Sequence, residues 1–295
     1  MSTRAAARRP AAAPRHALSP PLVALLESAL VLAAWLAFAT WVGEGGPLVA
    51  YDAFRDMAYA HGILAGGLGR DPTLPGLPAW YPPGEPLAFA CLSRLSGVPV
   101  VTLFATSVYW LGWAAPLAIF WLARRGRGPV SGTARAAWAL ALAALAVGPG
   151  AFHLADAGRF VIRLDAPWQA FIHVADAVAA ATPEGAAVAA PPETSYFLAG
   201  LTGRSAVALP AGHTNPAVDP FARAADVESL LTTHDDARFA ELIRRHHVAA
   251  LLLPAALTPG DPAPGQFAAR PALTRIALPE SGWVAYRVGH DGGER

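Results

Sequence analysis

Lysine is absent from the 295 residues; all 22 basic side chains are arginine. In a chain so rich in Ala, Pro and Gly, this reads as the mutational bias of a GC-rich genome. Cysteine occurs once, as Cys91, which excludes an internal disulfide and any cysteine-based metal cluster. Charge is scarce, at 15% of residues against about 25% in a typical soluble domain. The net charge of +1 supplies no concentrated basic face, so nucleic-acid binding is not expected. There is no Walker loop, no GxSxG and no HExxH.

Acids are missing above all from the first half. Residues 1–150 hold six of them: Glu27, Glu44, Asp52, Asp56, Asp71 and Glu85. Residues 151–295 hold fifteen against eleven arginines, a local charge of −4. That asymmetry predicts a membrane region followed by a polar folded domain.

What is present in the first half is a set of hydrophobic runs. Segment 20–42 is long enough to span a bilayer and follows Arg4, Arg8, Arg9 and Arg15. The positive-inside rule then places the N-terminus in the cytoplasm. Ala37-Phe38-Ala39 looks like a signal-peptidase site. The apolar stretch exceeds the ~7–15 residues of a signal-peptide core, however, so an uncleaved anchor is expected. Segment 98–123 is a second candidate span, followed by Arg124, Arg125 and Arg127. Segment 134–150 is a short third. The expected fold is therefore an α-helical membrane region of about three transmembrane helices plus a C-terminal α/β sandwich. Its expected parts are a cytoplasmic basic tail (1–19), a transmembrane region (20–150) with an outer loop (44–97), and an extracytoplasmic α/β domain (151–295).

The outer loop is too long and too patterned for a connector. The run from Asp52 to Leu64 predicts an amphipathic surface helix with Asp52 at its N-cap, ended by Gly66-Gly67. Asp52 and Asp56 lie at i, i+4 and share a face. Two readings stand for them. Asp52 caps the helix and Asp56 pairs with Arg55 or solvent; or the two acids serve as general base and cation ligand.

Taken in order, YDAFRD (51–56), GGLGRDP (66–72) and WYPPGEPL (80–87) resemble the first outer loop of the GT-C membrane glycosyltransferases. The resemblance covers about residues 20–125. It implies transfer of a sugar from a polyprenyl-phosphate donor on the outer face of the cell (inner) membrane. It assigns the catalytic base, or in some branches a divalent-metal ligand, to Asp52, with Asp56 second. It also puts Arg55, His61 and Tyr81 beside the substrate. The family usually has eight or more spans, so this chain is expected to be a shortened relative. A membrane-protein partner supplying the missing helices would be one repair. The alternative is a non-catalytic, membrane-anchored protein whose outer domain binds a partner or a glycan, or a fragment without activity.

Beyond residue 151, strands are expected at 186–190, 205–209, 248–253, 276–278 and 283–288. Helices are expected at 168–178, 195–201, 225–231 and 237–246, an α/β alternation. The loop 211–223, AGHTNPAVDPFAR, is the most polar turn in this half. It is either Asn-Pro punctuation or a ligand loop in which His213, Asn215 and Arg223 shape a substrate phosphate site. His246-His247 beside Arg244-Arg245 reads as helix capping rather than a metal site.

Overall fold

The computed structural model describes residues 19–43, 48–110, 117–118, 121, 161–163, 166–255, 267–279 and 282–289. The chain divides into two compact units. One comprises Met1–Val42 with Leu111–Ala151, the other Gly43–Trp110 with Phe152–Arg295. Within the first, helix α1 (Pro20–Gly43) carries exposed Leu22, Leu25, Leu26, Leu30 and Leu36.

The second unit is built on a mixed sheet. Its strands are β3 (Ala187–Ala189), β4 (Ser205–Ala206), β5 (Val248–Pro254), β6 (Leu273–Ile276) and β7 (Trp283–Val288). They lie in the order β4-β3-β5-β7-β6. The first three run parallel, and β7 pairs antiparallel with both β5 and β6. A separate two-stranded ladder joins β1 (Leu48–Ala50) to β2 (Val161–Arg163). Strand β5 is apolar along its length because both of its faces are covered. Successive side chains alternate between faces, so Ala250 and Leu252 enter one core while Leu251 and Leu253 enter the other.

One face of the sheet is covered by α5 (Ala166–Ala181) and α6 (Pro192–Thr202). The other is covered by α7 (Pro220–Thr232) and α8 (Asp236–His246). Both α7 and α8 begin under true N-caps: Asp219 accepts from the amides of Phe221 and Ala222, and Asp235 from those of Ala237 and Arg238. Asp226 ties the pair together by accepting from His246 Nε2 at 2.9 Å and pairing with Arg245 at 3.3 Å.

Three further helices, α2 (Ala53–Leu64), α3 (Gly84–Ser96) and α4 (Val100–Trp110), join the first core. Helix α2 crosses α6 so closely that a Cβ on Gly200 would lie 2.6 Å from the Phe54 carbonyl oxygen. The Pro/Gly segment that follows α2 is pinned to the sheet edge. Thr73 O accepts from the Ala206 amide at 2.8 Å, and Pro72 O accepts from Ser205 Oγ at 2.9 Å.

The expected membrane region of about three transmembrane helices is not found. Among the described residues no single helix is long and apolar enough to cross a membrane. Helices α3 and α4 reach that composition only as a pair bent by 117°. The physical reason is plainest in α4. Its Val100, Phe104 and Ala105 are buried against protein, and Phe104 stacks on Phe89 with ring centroids 3.8 Å apart. An apolar run buried by protein has the same composition as one buried by lipid. The third expected span, 134–150, and the tail 1–18 lie outside the described residues. In the sheet half, the strand expected at 276–278 begins three residues earlier and spans Leu273–Ile276.

Candidate functional site

The start of α2, the start of α6 and the 3₁₀ turn Ala211–His213 meet at one point. Tyr51 is its hub. Its ring stacks on Tyr196 (centroids 4.9 Å, 30°), meets Phe197 edge-on at 5.6 Å and lies 5.0 Å from the imidazole of His213. Tyr196 and His213 close the triangle at 4.5 Å. Tyr196 donates its hydroxyl to the Tyr51 carbonyl at 3.0 Å, and the Tyr51 hydroxyl donates to Glu193. Burial pushes both phenols up, and Glu193 adds to the effect at Tyr51, so both remain donors at neutral pH.

Asp52 follows directly on this hub. It occupies the N-cap position of α2, yet its side chain makes no capping hydrogen bond. The carboxylate is 68% exposed, with Oδ1 3.8 Å from His213 Nε2. Burial lowers the His213 pKa; Asp52 pulls it upward but does not prevail. The imidazole is therefore neutral near pH 7. Its Nδ1 is buried and has no partner among the described residues.

One turn further along, Asp56 is buried at 5% exposure. Burial raises its pKa to about 6, opposed by Arg55 and reinforced by Glu85 and Asp52. Arg55 Nε sits 3.4 Å from Asp56 Oδ1, and its guanidinium lies 3.7 Å above the Tyr81 ring. Two sets of contacts, Asp52 with His213 and Arg55 with Asp56 and Tyr81, thus lie around the first turn of α2.

The other residues expected at the site do not join them. His61 is at the far end of α2, about 13 Å along the axis at ~1.5 Å per residue. It packs under Gly203 and lines a groove of about 420 Å³ with Arg70, Glu184 and Arg204. Its pKa is lowered to about 4 by burial, with Arg204 adding to the shift. Asn215 is 2% exposed and structural, donating to Asp71 Oδ2 at 2.9 Å and to Pro78 O at 3.0 Å. Asp71 uses its other oxygen to accept from Thr73 and Leu74. The Asp71-Pro72 element is therefore a buried turn clamp. Arg223 belongs to the α7–α8 pair, against Val207 O (3.4 Å) and His246 Nδ1 (3.1 Å).

Among the described residues, His213 is the side chain that an ion pair places beside Asp52 as a candidate metal co-ligand. Among the described residues no group of three His, Cys, Asp or Glu side chains could hold an ion. The donor set does not fit a metal centre. Sequence reasoning missed Tyr51, Glu193 and Tyr196, because their only local signal was an aromatic pair just inside a helix start. No protein-family model matches the chain, and no curated protein is significantly similar to it.

Proposed function

We propose that this group is a glycosyl-transfer centre that takes a sugar from a polyprenyl-phosphate donor at the outer face of the cell membrane. Asp52 is the base. The observation that carries this reading is a carboxylate at a helix N-cap that caps nothing. It stands exposed instead, 3.8 Å from a neutral imidazole supplied by a loop about 160 residues away in sequence. A capping aspartate normally satisfies the first amides of its helix. Asp52 keeps its lone pairs for another proton.

In the reaction, Asp52 takes the proton from an acceptor hydroxyl as that oxygen attacks the anomeric carbon. The bond from that carbon to the donor phosphate breaks, and the polyprenyl phosphate leaves with the electron pair. His213, packed against the Tyr51–Tyr196 stack, stands 3.8 Å from the carboxylate. Arg55, fixed between Asp56 and Tyr81, supplies a positive charge one turn away, where a phosphate oxygen is stabilised.

The test is sugar transfer by membranes containing the full chain, supplied with a labelled polyprenyl-phosphate sugar. Asp52→Asn is expected to lower the rate by about 10²–10⁴, the usual contribution of a general base, with the circular-dichroism spectrum unchanged. Wild-type rates in that variant overturn the assignment.

A further inference from the structure

Beside Glu193, the acceptor of the Tyr51 hydroxyl, the structure holds a recess of about 280 Å³. Trp168, Phe171, Phe197 and Trp283 line it, with Glu193 and Thr194 as its polar wall. The rings meet at steep angles: Trp168 stands at 87° to Phe171 and 89° to Phe197, and Phe171 lies 5.4 Å from Trp283 at 57°. Trp168, Phe197 and Trp283 are only half-buried. Three large aromatic side chains thus keep surface in one recess that the core does not consume.

We propose that this recess is a subsite for the ring of a neutral pyranose, the sugar acceptor of the transfer centre. The proposal rests on the glycosyl-transfer reading. Three observations carry it. Glu193 is the one ionisable side chain lining the recess among the described residues, so an anionic ligand such as a phosphate is repelled. The aromatic lining favours a ligand with an apolar face, and the axial C–H face of a pyranose is one. The polar groups are few and confined to one wall, the arrangement that orients a ligand by its hydroxyls. The volume is just under the ~300–1,000 Å³ of pockets for drug-sized ligands, enough for one ring. Glu193 also accepts the Tyr51 hydroxyl. The residue that would bind the sugar's hydroxyls is thereby coupled to the neighbour of the base.

The test is saturation-transfer NMR on the purified full chain with methyl β-glucoside, methyl α-mannoside and methyl N-acetyl-β-glucosaminide. Inorganic phosphate and tetramethylammonium serve as comparison probes. At least one glycoside is expected to bind saturably, and Trp283→Ala is expected to weaken it about tenfold, the upper end for one aromatic contact. Trp168 also packs on Phe54 (5.8 Å), so exposed Glu193→Gln is the second variant, expected to weaken binding while leaving the melting temperature unchanged. The proposal is overturned if no glycoside saturates, if both variants bind as wild type, or if tetramethylammonium displaces the glycoside. Asp52→Asn is expected to retain glycoside binding. Transfer without glycoside binding removes the subsite alone; glycoside binding by a wild-type chain that transfers nothing removes the transferase reading alone.

Discussion

Two groups on α2 give the chain an opposed response to acid. His61, with its pKa lowered to about 4, binds a proton less well folded than unfolded. Its contribution is complete above about pH 6.5 and is lost as pH falls towards 4. His213 and His246 are shifted the same way by burial. Asp56, raised to about 6, binds its proton better in the folded state. Its sign is opposite: stability falls as pH rises from about 4 to 6. Urea midpoints measured from pH 4 to 7 should therefore separate two variants. His61→Gln should lose less stability on acidification than the wild type, and Asp56→Asn should lose more. An Asp56→Asn profile parallel to the wild type would contradict the raised carboxyl. At this scale the sequence made the acids visible but not their surroundings. Asp52 and Asp56 share a helix face, yet one is exposed and the other buried beside Arg55.

At the scale of elements, the docking of α2 on α6 decides where the site lies. Gly200 lets the two backbones approach, since a Cβ there would meet Phe54 O, Cα and Cβ at 2.6–2.8 Å. Gly200→Ala is expected to cost about 1–3 kcal/mol through overpacking, despite the ~1 kcal/mol that alanine gains in a helix interior. Chemical denaturation measures it, and a stabilised variant would refute the close approach. The helices and most strands were legible locally. The run 248–253 announced a strand, and Gly66, which takes a positive φ, marked the end of α2. What was not legible was the partner of each apolar face. Segment 98–123 read as a span because nothing in the run names Phe89 as the ring that covers Phe104. Likewise the sequence leaves Asn215 open between turn punctuation and a ligand role, because Asp71, its acceptor, is 144 positions away.

At the scale of the whole molecule, the described residues of 48–110 and of 166–289 share one core, in which Phe54, Met57 and Leu74 are almost fully buried beside Val188, Tyr196 and Leu252. A fragment of residues 152–295 alone would expose the underside of α6 and the β4 edge where Thr73 docks. It is expected to lack slow-exchanging amides in α6 and β4 and to bind a hydrophobic dye. Full protection in that fragment would show an independent domain. The expectation that the C-terminal half stands alone is tested by the same measurement.

The contact of Tyr196 with the Tyr51 carbonyl spans 145 positions. During synthesis at ~5–20 residues per second, the first partner is complete roughly 7–30 s before the second exists. Through that interval Phe54, Met57 and Leu74 have no lid, and the nascent chain presents them to whatever else is near the ribosome. Yield of folded protein should therefore depend on holdase chaperones and on translation speed between residues 110 and 196, a sensitivity set by the order of the gene rather than by the strength of the finished fold.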